Sequence, residues 1–229
     1  MNLRNTLCLV LSLSAIAVFA VPARAAMEDK PAPPSEAAAA PAKPAVTIDV
    51  KAALATRSMG DPKAPVRLDE YASLSCPHCA DFTKETFDKI KATYIDTGKV
   101  FYTYTDIPLN APALEAAMVA RCMPAEHYFD FVKILFTTQD KWAFNDKYEA
   151  SLRQSSKLLG MNDETFDACV GNQELKLAIV NRMDELGKAN HIESTPSFII
   201  NGKLIHGALP FEDFQQAIDP LLTKGALKK

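Results

Sequence analysis

The chain has 229 residues and a formal net charge of −3, with 48% hydrophobic and 23% charged residues. That length accommodates one large domain or two small ones around a sizeable core. With 25 Lys and Arg set against 28 Asp and Glu, four His and no basic run, the charge distribution offers no footprint for nucleic acid.

The chain opens on Met1-Asn2-Leu3-Arg4, continues in an apolar run from Leu7 to Val21, and then reads Ala23-Arg24-Ala25. A basic n-region, an apolar h-region and a small-x-small site predict a secretory signal peptide over residues 1–25, cut after Ala25. An uncleaved anchor is the alternative, although the run falls short of the ~20 residues that span a bilayer. Cys8 lies inside this segment and would leave with it. Residues 26–46 are dominated by Pro and Ala, as in Lys30-Pro31-Ala32-Pro33-Pro34 and the run Ala37 to Ala40, a composition that predicts a disordered, extended tether. The folded domain is expected over 47–229. Export would place Cys76, Cys79, Cys122 and Cys169 in an oxidising compartment.

Val66 to Tyr71 alternates as a strand does, and a helical pattern carrying Phe82, Phe87, Ile90 and Tyr94 follows it. Lys99 to Tyr104 predicts a second strand, which makes a βαβ unit with parallel strands and a right-handed crossover. From about 112 to 170 the period turns helical, through Leu114, Met118, Phe129, Val132, Phe136 and Leu152, with breaks at Pro124, Asn145 and Gly160. This predicts an inserted bundle of short helices. A longer helix is expected from Gln173 to Lys188, then a hairpin of Ser197 to Ile200 and Lys203 to His206 about Asn201-Gly202, and a last helix from Pro210 to Leu222. The fold class is therefore α/β with a helical insertion.

Between the first strand and its helix stands Cys76-Pro77-His78-Cys79. Pro77 suits the first helical position, which places the Cys76 sulfur at a helix N-terminus and Cys79 one turn deeper. Haem attachment would need His where Ala80 stands, and a closed zinc site would need two more ligands at short spacing. A redox dithiol is the leading reading; an inert bridge and a metal half-site are the others. In the redox reading Cys76 is the nucleophile and Cys79 the resolving thiol. Lowering a thiol from ~8.5 by ~4 pH units corresponds to ~5.5 kcal/mol, whereas a helix dipole supplies at most ~2 kcal/mol. Backbone N–H groups of the first turn and the imidazole of His78 are the further local candidates for stabilising a thiolate.

Gly60-Asp61-Pro62, Ala64-Pro65-Val66, Glu70-Tyr71 leading to Cys76-Pro77-His78-Cys79, and Thr195-Pro196-Ser197-Phe198 with Asn201-Gly202 together resemble the DsbA-like disulfide oxidoreductases of the thioredoxin superfamily, in their alphaproteobacterial form. The similarity covers about Gly60 to Leu222 and implies a thioredoxin-like fold with an inserted helical domain. It implies that Pro196 is a cis-proline facing the dithiol and that Thr195 offers backbone groups to an extended substrate chain. Glu70 resembles a buried acid that moves protons at the deeper cysteine, with Lys99 as its suggested counterpart; a solvent-facing carboxylate on an alternating strand is the alternative. Cys122 and Cys169 match positions where such relatives carry a structural disulfide; two buried free thiols are the alternative. His127, His191 and His206 have no ligand-like spacing and are assigned to structure or surface. No metal or cofactor is implied.

The function the resemblance implies is a dithiol oxidase, an enzyme that introduces disulfides into exported proteins with free cysteines. A quinone-linked membrane oxidase of the DsbB type would reoxidise it, and the Pro-rich extension suggests a monomer. An isomerase or reductase of the same fold is the near alternative, favoured by Thr rather than Val before the proline. A non-catalytic peptide-binding chaperone is the alternative of another class.

Overall fold

The structure, a computed structural model, describes residues 46–226. The signal segment expected over 1–25, and the tether expected over 26–46 except for Val46, lie outside the described residues.

Five strands form one mixed sheet in the order β1-β3-β2-β4-β5. Its centre is β2 (Val66–Ala72), parallel to β3 (Val100–Asp106), with Glu70 opposite Tyr104 in register. On the other side β2 pairs antiparallel with β4 (Ser197–Ile200), where Glu70 faces Phe198 and Tyr71 faces Ser197. The edges are β5 (Lys203–His206) and β1 (Arg57–Met59), the latter antiparallel to β3. Strand β1 has no counterpart among the sequence expectations. Three residues are too few for a period to show, and the middle one, Ser58, is exposed between buried Arg57 and half-buried Met59.

The crossover from β2 to β3 is helical over 77–95. It begins as α2 (Pro77–Phe82), widens into a π turn at Thr83–Phe87, returns to α-geometry as α3 (Asp88–Ile90) and widens again at Lys91–Ile95. Ahead of the sheet lies a single turn, α1 (Val50–Ala53), capped by Asp49. After β3 come α4 (Ala111–Cys122), α5 (Tyr128–Thr137), α6 (Gln139–Trp142), α7 (Tyr148–Lys157) and α8 (Asp163–Val170). Asparagine caps three of the later helices: Asn110 accepts from Ala113 N–H at α4, Asn162 from Thr165 N–H at α8, and Asn172 from Leu175 N–H at α9 (Gln173–Ala189). The final helix, α10, runs Phe211–Ala226, so it starts one residue after Pro210 and continues past Leu222. The β4–β5 turn holds Asn201 and Gly202 at φ 45° and 86°, the left-handed pair that a tight hairpin demands.

One apolar core joins the two layers. Phe82 of α2, Phe198 of β4 and Phe214 of α10 meet with ring centroids 4.6 to 5.5 Å apart, directly behind the dithiol helix. The inserted helices bring Phe131, Leu135, Phe136 and Trp142 to the same core. A smaller cluster of Ala53, Met118, Leu175 and Ile179 packs around Cys169, and the sulfurs of Cys122 and Cys169 are joined at 2.05 Å, tying α4 to α8. A charged pair is buried where Arg121 Nε donates to Asp106 Oδ2 at 2.6 Å, and Arg121 Nη1 donates to the Ala53 carbonyl.

Candidate active site

Cys76 caps α2 in extended conformation and Pro77 occupies the first helical position, so no N–H is lost where none could be bonded. Cys79, one turn in, is fully buried, and both cysteines are free thiols. The loop that delivers them is braced from three sides. Cys76 N–H donates to the Ser73 carbonyl, and Gln139 of α6 donates its Nε2 hydrogens to the carbonyls of Leu74 at 2.7 Å and Cys76 at 3.0 Å. The third side is the turn before β4, where the Cys76 thiol donates to the Thr195 carbonyl at 3.2 Å and the Thr195–Pro196 peptide is cis.

The two thiols are driven apart in acidity. Cys76 is drawn down from 9.0 to about 5, first by a hydrogen bond from Cys79, with burial opposing, and then by Thr195 and the backbone N–H groups of Cys79 and His78. Cys79 is driven far upward, mainly by burial and then by its hydrogen bond to Cys76 and the negative charge there. A carbonyl can only accept, so it serves the Cys76 thiol and opposes the thiolate. The Thr195 hydroxyl, buried and without a hydrogen-bond partner, is a group on that residue able to donate once Cys76 has lost its proton.

His78 contributes a backbone N–H to Cys76. The imidazole is exposed, with Nδ1 3.7 Å from the Asp81 carboxylate. The groups that lower the Cys76 thiol include Cys79 and the main-chain donors of Cys79 and His78.

Glu70 is 2% exposed, at the middle of β2, and accepts from Tyr102 Oη at 2.7 Å. Burial raises its carboxyl to about 8, with the Tyr102 bond only partly opposing. It borders a cavity of about 150 Å³ lined also by Thr83, Phe87, Tyr102 and Phe129. Lys99, the suggested counterpart, stands elsewhere. It precedes Val100, which pairs with Val66 at the far end of β2, and its exposed Nζ donates to the Thr93 carbonyl at 3.4 Å. Five residues of strand separate it from the level of Glu70, roughly 16 Å. Tyr102, which shares the Tyr104 face of β3, holds that place instead.

Tyr102 and Gln139 were not singled out in the sequence. The alternation of Tyr102 and Tyr104 in a strand beside Glu70 was a usable signal for the first; nothing local marks the second, whose role comes from packing a distant helix against the dithiol loop.

A family model described as Thioredoxin matches residues 52–220. A protein of Rickettsia conorii named as a protein-disulfide oxidoreductase is 31% identical over 191 residues, spanning 83% of this chain and 69% of that protein. A protein of the same name from Rickettsia prowazekii is 32% identical over 145 residues; there the match spans 63% of this chain and about half, 53%, of the relative. Among solved structures, Wolbachia pipientis alpha-DsbA1 superposes with a TM-score of 0.72 at 32% identity, over 76% of this chain and 94% of that one.

Proposed function

The chain belongs to the DsbA-like thiol-disulfide oxidoreductases of the thioredoxin superfamily, and from that premise we propose that it is a periplasmic dithiol oxidase whose reactive pair is Cys76 and Cys79. The observation that carries the direction of electron flow is the unequal pair: Cys76 drawn down to about 5 above a buried, high-pKa Cys79. An interaction that stabilises a thiolate stabilises the reduced protein, and so makes its disulfide a better oxidant.

In the oxidised protein a substrate thiolate attacks Cys76 Sγ. The Cys76–Cys79 bond breaks, Cys79 Sγ leaves with the electron pair and takes a proton, and a mixed disulfide joins substrate to Cys76. A second substrate thiolate then attacks the substrate sulfur of that bond. Cys76 departs as a thiolate, the substrate leaves oxidised by two electrons, and the enzyme is reduced. A low pKa at Cys76 speeds this second step, because the weaker base is the better leaving group. Glu70, protonated below about 8 and buried beside the core of the site, is the group suited to supply the proton that Cys79 takes.

Thr195 and Pro196 form the edge against which an extended substrate would lie, with the Thr195 backbone facing Cys76. The Cys122–Cys169 disulfide and the n-region, h-region and Ala23-Arg24-Ala25 pattern support an exported protein. Its substrates are exported chains with free cysteines, its reoxidant is a quinone-linked membrane oxidase of the DsbB type, and it acts as a monomer. The test is the equilibrium of Cys76–Cys79 against glutathione redox buffers. A strongly oxidising pair is expected; a potential as reducing as thioredoxin's, about −270 mV, would sink the oxidase assignment.

A further inference from the structure

The Thr195–Pro196 turn faces Cys76 on one side and the β5 edge on the other, and that second side carries a side chain so far assigned only to structure or surface. His206, the last residue of β5, stands opposite Ser197 in the β4–β5 register. Its Nδ1 lies 3.1 Å from Ser197 Oγ, and the same Oγ lies 2.7 Å from the Ser194 carbonyl. The carbonyl can only accept, so the single hydroxyl hydrogen of Ser197 is committed to it. What remains on Ser197 Oγ is lone pairs. Nδ1 of His206 must therefore carry a hydrogen and donate it.

The next residue completes the clamp. Gly207 N–H donates to the Pro196 carbonyl at 2.9 Å. Thr195 thus sits between two held carbonyls, that of Ser194 bonded by Ser197 of β4, whose hydroxyl His206 of β5 in turn bonds, and that of Pro196 bonded by Gly207. Its own carbonyl is the one that meets the Cys76 thiol at 3.2 Å. We infer that His206 is a positioning residue of the exchange reaction, holding the Ser194–Pro196 turn so that Thr195 meets both Cys76 and an extended substrate chain.

This rests on the reading of Thr195–Pro196 as the substrate edge. His206 is exposed and Ser197 buried, so the ring contributes little apolar packing and the main effect of losing it falls on the turn. A peptide substrate that must align along the turn is affected more than a small thiol that needs only the sulfur of Cys76.

The experiment compares kcat/KM for a cysteine-containing unfolded peptide with that for glutathione, in the oxidised full chain and in His206→Leu, His206→Asn and Pro196→Ala. Asn places an amide N–H close to where Nδ1–H stands; Leu supplies no donor. The expected result is a peptide-to-glutathione ratio about three- to tenfold lower in His206→Leu, as the loss of one hydrogen bond implies, carried by KM and restored in His206→Asn. Nitrogen-15 spectra of the unmutated protein should show the Nδ1 of His206 protonated at neutral pH, a readout that needs no variant to fold. An unprotonated Nδ1, or a ratio unchanged in His206→Leu while Pro196→Ala lowers it, overturns the role of His206 alone. A ratio unchanged in Pro196→Ala removes the substrate edge itself, and this inference with it.

Discussion

Replacing Glu70 by Gln should make the oxidised protein more stable as pH rises, and the size of the gain follows from the position of the carboxyl. Glu70 is 2% exposed and its side-chain hydrogen-bond partner is the Tyr102 hydroxyl, which a Gln side-chain carbonyl can equally accept. Burial raises its pKa from 4.5 to about 8. Below 4.5 the carboxyl is protonated in folded and unfolded chains alike, and no penalty arises. Between 4.5 and about 8 the unfolded chain releases the proton while the folded one keeps it, so the unfolded state is favoured progressively. Above about 8 the penalty levels off. At 1.36 kcal/mol per pH unit the full effect is on the order of 5 kcal/mol, and about 3 kcal/mol at pH 7. Against a total stability of roughly 5–15 kcal/mol this is large.

The assay is urea unfolding of both proteins, oxidised so that Cys76 and Cys79 do not titrate, at intervals from pH 4.5 to 8.5. Glu70→Gln and the unmutated protein should coincide near pH 4.5 and diverge up to about pH 8, with the variant the more stable. Curves that stay parallel across that range would refute the assignment of a buried, protonated Glu70.

In the reduced protein, alkylation of Cys76 should follow a single titration with midpoint about 5, while Cys79 stays unreactive through neutral pH. Its thiolate stabilises the reduced fold fully above the ordinary thiol pKa of 9.0, and that contribution is lost as pH falls through about 5. Thr195→Val removes a hydroxyl able to donate to that thiolate, and should move the alkylation midpoint upward by about one to two pH units, the worth of a hydrogen bond to a charged group. An unmoved midpoint would show that main-chain donors and Cys79 suffice. Arg121→Met leaves Asp106 buried without its 2.6 Å partner and should cost about 3–5 kcal/mol in denaturant unfolding with the alkylation midpoint unchanged; a loss below 1 kcal/mol would contradict the burial of that pair. Replacing Cys122 and Cys169 together by Ala opens a loop of sequence separation 47, worth about 4 kcal/mol in the chain-entropy model. Calorimetry should show a lower Tm while thiol exchange at Cys76 persists.

Local pattern was strong wherever one element carried its own signal. The alternation of Val66 to Tyr71, the Asn201-Gly202 hairpin and the apolar spacing of Gln173 to Lys188 each led to an element that the structure contains. The same holds for the dithiol, since Cys-x-x-Cys with Pro77 after a strand already places one sulfur at a helix start. The three-residue β1 was invisible because pairing with β3, not its own sequence, makes it a strand. Partners fared worse than elements. His78 lies two residues from Cys76 in sequence, yet its ring turns to Asp81. Lys99 falls just before β3, at the far end from Glu70, and Tyr102 is the residue that bonds Glu70.

The residues themselves marked out the candidate dithiol and the family to which the chain belongs, because thiol chemistry, proline at a helix start and glycine in a turn are properties of single residues and short spacings. Only the tertiary structure decided how acidic each thiol is and what holds Cys76 in line. Those depend on a desolvated Cys79, on Gln139 arriving 63 residues later and on the Thr195 carbonyl 119 residues away. Desolvation and hydrogen bonding act over a few ångströms in space, and packing alone brings such distant positions within that range.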